Sequence, residues 1–322
     1  MKSDMLLSVS SEDGATLSDG ATATQTEIRH ISNSEVGTWL MCRNSYRYQF
    51  DMSLQPIRHS DPLSRGILGH DAIAAFYTVI GQTGDIVLAQ AASDEVLQRA
   101  LTDTVTYAME IVMDVRKILN VYYVMVQGDI PNWDIIEVET KHDLPLNPNY
   151  DMPMRLDALV RDKRTGKIIL VDHKFTYDFW TEDDLALNPQ FPKYIGALRN
   201  KGYSVDHCIL NQLRTRKLKN PGTDDLLRRT EQRPSLAKIR RFLQEHIVSA
   251  EEIVHYRSQP PEVRARLATR VANKMICRSC SVKNLCIAEL DGSTIEYLVQ
   301  TDYKKRTYGY NDDAVVDVKE LM

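Results

Sequence analysis

The run Arg155-Leu156-Asp157-Ala158-Leu159-Val160, a polar turn from Asp162 to Gly166, and the run Leu170-Val171-Asp172-His173-Lys174 together decide how this chain folds. Two β-rich segments flank turn chemistry, which predicts a hairpin or meander. Alternate side chains of a strand share a face, so Asp172 and Lys174 point one way and His173 the other. If the register sets Asp157 beside Asp172, two carboxylates and one ammonium converge. Carboxylates hold hard divalent cations, and a fixed cation stabilises charge developing near an attacking water. Phosphodiester hydrolysis needs both. Edge carboxylates paired with Lys174 or Arg155 would give the same short pattern, so its weight depends on what surrounds it.

Outward from this hairpin the centre reads β-β-β-α-β. An alternating strand from Ile135 to Thr140 and strands over Met154 to Arg161 and Lys167 to His173 precede a helix from Glu182 to Asn200 and a strand from Ser204 to Leu213. Upstream, Ser32, Asn33 and Ser34 offer N-caps to an amphipathic stretch through Trp39, Leu40, Tyr46 and Phe50, on which Cys42 lies. A second helix near Arg65 carries His70, Ile73, Ala74 and Tyr77, and a longer one spans Ser93 to Leu119. Ser235 to Leu290 reads as helical, interrupted by Pro260 and Pro261. Met1 to Glu27 lacks hydrophobic periodicity and is expected to be a disordered leader. The expected division is leader 1–27, N-terminal helical region 28–132 with Cys42 and His70, core 133–220, and C-terminal helical region 221–322 with the clustered cysteines.

The chain has 322 residues, and its apolar runs are too short to cross a bilayer. A soluble, cytoplasmic protein with no membrane association is expected. The net charge of −4 gives no global pull on nucleic acid, so phosphate binding must come from local basic surface. Arg214, Arg216, Lys217 and Lys219 form one such stretch, and Arg228, Arg229, Arg233, Lys238, Arg240 and Arg241 a second. Solvated charge on exposed faces is the plainer reading of each. The five cysteines come without an export signal, which favours reduced thiols and a metal-binding subset over disulfides.

Two further motifs sit where a hydrolytic site would use them. Gly66-Ile67-Leu68-Gly69-His70 puts an imidazole at the start of a helix, where the neutral ring can ligate metal. Gln190 and Tyr194, in Gln190-Phe191-Pro192-Lys193-Tyr194, are spaced i, i+4 and share a helix face. Pro189 and Pro192 leave the start of that helix open.

Gly-x-x-x-His, then Asp, then Asp-x-Lys, then Gln-x-x-x-Tyr, in that order, resembles the pattern of RecB-like nucleases of the PD-(D/E)XK superfamily, including the CRISPR-associated RecB-like exonucleases. The likeness covers roughly Ile31 to Leu290. It implies an α/β, restriction-endonuclease-like fold, a mixed sheet core flanked by helices, with an N- and C-terminal helical layer joined by a cysteine-ligated cluster. It implies His70, Asp157, Asp172 and the backbone carbonyl of His173 as ligands to Mg2+ or Mn2+, and Lys174 as the catalytic lysine. Gln190 and Tyr194 would support the site or touch the substrate strand. Position 172 is Asp where many members have Glu.

Cys277-x-x-Cys280-x5-Cys286 with the distant Cys42 resembles the iron-sulfur subgroup of these nucleases, in which such a set holds a [4Fe-4S] cluster. Arg43 follows Cys42 where proline is common. Four thiolates bind zinc as readily, and spacing does not separate the two metals; the resemblance favours iron-sulfur. Cys208 lies in an apolar strand pattern and reads as a buried, inert thiol. The implied activity is exonucleolytic hydrolysis of DNA at single-stranded or frayed ends, in recombination, repair or CRISPR adaptation, with protein partners from those processes. The rival is a non-catalytic nucleic-acid-binding or assembly protein that keeps the fold and cluster.

Overall fold

The computed structural model describes residues 29–103, 106–219 and 221–306. The expected leader, 1–27, lies outside the described residues, as does Val105. In chain order the elements are β1 (Arg29–His30), α1 (Asn33–Met41), α2 (Arg43–Tyr46), β2 (Leu54–Pro56), α3 (Asp61–Thr83), α4 (Ile86–Thr102) and α5 (Met109–Val126). Next come β3 (Trp133–Asn147), β4 (Tyr150–Asp162), β5 (Ile168–Thr176), α6 (Glu182–Leu187), α7 (Gln190–Asn200), β6 (Val205–Arg214), α8 (Thr223–Leu226) and β7 (Leu227–Gln232). The chain continues through α9 (Leu236–Arg257), α10 (Pro261–Leu267), α11 (Lys274–Arg278), α12 (Lys283–Leu290), α13 (Glu296–Asp302) and β8 (Tyr303–Lys305). Two compact units result, one from Arg29, His30 and Ser60–Glu245, the other from Ile31–His59 and residues 246–306.

The first unit is built on a mixed sheet in the order β1-β4-β5-β6-β7, with β3 also on β4. β3 and β5 are antiparallel to β4, β6 runs parallel to β5, and β7 is antiparallel to β6. Helices α3, α4 and α5 cover one face and bury Phe76, Tyr77, Val115, Leu119 and Tyr122 with Val171 and Ile209. α7 packs against β3 and β6, with Phe191, Ile195 and Leu198 buried. That burial supplies most of what holds the layers together, since each such side chain contributes about 1.5–3 kcal/mol.

Local chemistry explains several element ends. Asp85 caps α4 by accepting from the backbone N–H groups of Val87 and Leu88 at 2.8 and 3.1 Å. Gly84 closes α3 in a left-handed conformation, φ 69°, which glycine adopts without strain. The expected single helix from Ser93 to Leu119 is two helices, because the chain leaves helical geometry at Asp103 and re-enters after Ala108. The expected helix from Glu182 to Asn200 is likewise divided, as Asn188 before Pro189 is driven into extended backbone. Strand β7, absent from the sequence reading, is a polar strand without apolar alternation, LRRTEQ.

The β4 edge that faces β5 carries the feature that matters for chemistry. β5 pairs with Ala158 to Arg161, and β1 pairs with Tyr150 and Asp151. Residues 152–157 have no ladder partner on that edge among the described residues. β5 leaves β4 at Ala158↔Val171, one rung before Asp157 and Asp172.

In the second unit β2 and β8 form a two-stranded antiparallel sheet over a core of Tyr48, Leu54, Val282, Leu285 and Tyr303. Ser32 caps α1, accepting from the Glu35 N–H at 3.1 Å. Buried Trp39 and Tyr46 pack edge to face, centroids 5.1 Å apart, and the Trp39 indole donates to Glu252 at 2.9 Å. No helix among the described residues is long and apolar enough to cross a membrane.

Candidate active site

Five elements of the first unit meet where β5 parts from β4. α3 brings His70, whose Nδ1 lies 3.5 Å from Asp157 Oδ1 on β4 and 3.8 Å from Glu139 Oε1 on β3. Among the described residues, these three form the one group of three or more His, Cys, Asp or Glu whose ligand atoms all lie within 4.8 Å. The opposite Oδ2 of Asp157 accepts the His173 backbone N–H at 2.6 Å. A side chain thus takes the donor that the parted strands leave over.

On β5, Asp172 is 5% exposed and is held by two donors. The Lys174 ammonium lies 2.9 and 2.8 Å from its two oxygens, and Gln190 Nε2 donates to Oδ1 at 3.1 Å. α7 begins directly at Gln190, because Asn188 Oδ1 accepts the Gln190 N–H at 2.8 Å and Pro189 precedes it. Tyr194, one turn on, interacts with the Gln190 side chain and feels the charges of Lys174, Asp172 and Asp157. The His173 ring turns to the other face, as strand alternation predicts. It is fully buried, with Nε2 2.7 Å from the Tyr122 hydroxyl, which lies 2.7 Å from that of Tyr77.

The electrostatics divide the two aspartates. Burial pushes the Asp157 carboxyl up, but the nearby His70 and His173 imidazoles and the Lys174 ammonium outweigh it and hold it below the usual carboxylate range. Burial dominates at Asp172, with the Asp157 charge adding to it against the pull of Lys174, so its carboxyl is raised. Burial disfavours the Lys174 ammonium, yet Asp172 and Asp157 more than offset this and raise it. Burial pushes the Tyr194 phenol up to about 12, so it stays a neutral donor.

Sequence reasoning missed Glu139. It stands opposite Asp157, between Val138↔Ala158 and Thr140↔Leu156, only because the β3 register shifts between Ile135 and Glu137. Its backbone is left-handed, φ 48°, a conformation uncommon outside glycine. Arg155 Nη1 lies 3.5 Å from its other oxygen. Alternation from Ile135 to Thr140 marks Glu137 and Glu139 as one face, but a bulge cannot be read from alternation. The steric demand near His70 also falls elsewhere than at Gly66. A Cβ at Gly66 would meet open space, whereas one at Gly69 would be driven into the Phe175 ring.

The cysteines lie in the second unit, Cys208 excepted. Cys42 links α1 to α2 and is half-buried, as are Cys280 and Cys286, while Cys277 is exposed. The segment after Cys42 touches the C-terminal group: Asn44 Nδ2 donates to Cys286 Sγ at 3.5 Å, and Ser45 Oγ is 3.7 Å from Cys280 Sγ. Arg270 Nε donates to Cys286 Sγ at 3.3 Å. Cys208 is fully buried in β6, and burial raises its thiol well above the ordinary range.

An imidazole and carboxylates that could hold a metal ion thus lie beside a lysine where two strands part. The chain belongs to the PD-(D/E)XK nuclease superfamily, whose family model matches residues 30–287. Among solved structures, one described as "Crystal structure of SSO0001" is similar at 15% identity and a TM-score of 0.31, over 68% of this chain and 84% of that one. That likeness is too slight to bear on the fold. No curated protein matches the chain.

Proposed function

We propose that this chain is a Mg2+- or Mn2+-dependent DNA exonuclease of the RecB-like, iron-sulfur kind, acting at single-stranded or frayed ends in recombination, repair or CRISPR adaptation. The observation that supports it best is the meeting of His70, Glu139 and Asp157 beside the Asp172–Lys174 pair. Their donor chemistry, two or three carboxylates and one imidazole, fits a hard divalent ion. His70, Asp157, Asp172 and the His173 carbonyl would hold it, with Glu139 added to the set. Such an ion supplies Lewis acidity toward water and the phosphate oxygens.

The protein's own groups do the rest. Asp157 is fixed by the His173 N–H and presents its other oxygen toward His70. Lys174 orients the attacking water and stabilises charge that grows on the phosphate. Gln190 holds Asp172 in place, and the neutral Tyr194 phenol offers a hydrogen bond to the substrate strand.

Cys42, Cys277, Cys280 and Cys286 would hold a [4Fe-4S] cluster, with zinc the competing occupant. Contacts of Asn44 and Ser45 with Cys286 and Cys280 support this, since a shared cluster requires these segments to be neighbours. The cluster would be structural, closing a long loop of chain.

The test is cleavage of 5′- and 3′-labelled oligonucleotides, single- and double-stranded, with Mn2+, Mg2+ or EDTA. Progressive shortening from one end, abolished by EDTA and by Asp172→Ala, is expected; no cleavage under any of these conditions defeats the reading. Iron and acid-labile sulfide in anaerobically purified protein decide between cluster and zinc.

A further inference from the structure

We infer that the loops following β5 and β6, together with the start of β7, form a docking surface for a single DNA strand that leads into the site, with Tyr177 stacking on a base and Arg216 and Arg228 gripping phosphates. The inference deepens the nuclease reading and rests on it.

The loop from Tyr177 to Trp180 begins one residue beyond β5, the strand that carries Asp172 and Lys174. At ~3.3 Å per residue, Tyr177 stands about 10 Å along the chain from Lys174. The loop is fixed. Thr176 is the last residue of β5 in register with β6, opposite Arg214, and its carbonyl accepts the Thr215 N–H at 2.8 Å. Thr176 Oγ1 donates to the Asp178 carbonyl at 2.6 Å, and the buried Gln212 Oε1 accepts the Trp180 N–H at 2.7 Å.

On this base, arginines and aromatic rings alternate. The Arg214 and Arg228 guanidinium carbons lie over the Phe179 ring, 3.9 and 4.5 Å from its centroid, and Arg216 lies over Tyr177 at 5.7 Å. Phe179 thus orders two guanidinium groups rather than offering itself to a ligand. Arg214 is mostly buried, its Nη1 donating to the Asp225 carbonyl at 3.1 Å, and it belongs to the scaffold. Arg228 is exposed, and among the described residues no carboxylate lies within 4 Å of it. Arg216 keeps half its surface in solvent despite Asp178 at 3.3 Å. Tyr177 is 67% exposed, a large ring left in water beside a cation.

In a chain of net charge −4 this concentration is a local exception. A fixed aromatic platform with flanking guanidinium groups suits a single strand, whose bases are free to stack. A duplex hides the base faces that Tyr177 would need.

The test uses the full chain in EDTA, so that binding is read without cleavage. Fluorescence anisotropy follows a labelled oligo(dT) of about 20 nucleotides, the same strand lacking its bases, a blunt duplex, and the matching RNA. Tyr177→Ala is expected to weaken oligo(dT) binding about 5- to 100-fold, Tyr177→Phe to leave it unchanged, and the base-free strand to be indifferent to either. Arg216→Ala with Arg228→Ala should weaken both strands and flatten the logarithmic salt dependence by about 1.4, roughly 0.7 for each phosphate released. Binding unaltered in these variants, or a duplex as sensitive as oligo(dT) to Tyr177→Ala, overturns the inference, and tighter binding of the RNA overturns the assignment to DNA. Cleavage that depends on Asp172 while binding ignores Tyr177, Arg216 and Arg228 defeats this surface alone. Binding as expected without cleavage defeats the nuclease reading alone.

Discussion

The Asp157 carboxylate takes the backbone N–H of His173 at 2.6 Å, one residue past the last rung between β4 and β5. A single side chain therefore caps the parted strands with one oxygen and faces His70 with the other. In the proposed reaction structural and chemical duties share this one carboxyl group, and substitutions can separate them.

Asp157→Asn retains an oxygen for the His173 N–H but loses the charge, whereas Asp157→Ala loses both. Both variants should lose cleavage by at least about 100-fold. The alanine variant should unfold more easily than the asparagine variant, by about 1–3 kcal/mol, because it alone strands a buried donor. Urea denaturation of the two variants checks this, and equal stability would remove the capping role.

Lys174→Ala should abolish cleavage without weakening Mn2+ binding, since an ammonium stabilises developing charge and cannot be a ligand. Calorimetric titration of Mn2+ reads the second half. A variant that fails only because it no longer binds Mn2+ would contradict the role assigned here.

Two glycines one helical turn apart should respond in opposite directions. Gly69→Ala forces a methyl group into Phe175 and should cost about 1–3 kcal/mol. Gly66→Ala meets open space within α3 and should stabilise by about 0.5–1 kcal/mol. Thermal unfolding of the pair settles the comparison.

Lys193 is 3% exposed, and burial pushes its ammonium down to about 8, with the Glu245 charge pulling partly the other way. The unfolded lysine titrates near ~10.4, so between these values the unfolded chain binds more protons and stability rises with pH. The penalty is full below about 8 and relieved as pH climbs toward ~10. Lys193→Met should lack that rise and be more stable at neutral pH by up to roughly 3 kcal/mol. Parallel pH-stability curves for the two proteins would refute this.

If the proposed [4Fe-4S] cluster is bound, replacing Cys42, Cys277, Cys280 or Cys286 by Ser should bleach it and lower the unfolding temperature, because a group bound only by the folded chain stabilises it. Cys208→Ser should leave the visible spectrum unchanged. A full cluster in Cys42→Ser would break the ligand set proposed here.

The central strands and the Asp157, Asp172, Lys174 grouping were legible because alternation and turn residues are local signals, and these three residues lie on two adjacent strands. Gln190 and Tyr194 were legible for the same reason, through helical spacing. Glu139 was not, since its place opposite Asp157 depends on a shift in strand register, which arises from pairing between distant segments. β7 was invisible because a polar strand carries no apolar alternation, and the break near Asp103 because neither proline nor glycine marks it.

Glu139 brings one more consequence. A left-handed backbone at a residue other than glycine costs on the order of 1 kcal/mol, and a chain drifting under selection for stability alone would settle on glycine or asparagine at this position. Glutamate there keeps a carboxylate beside His70 and Asp157 at the expense of a relaxed backbone. Glu139→Gly would show it as a trade, a sturdier protein with a poorer site.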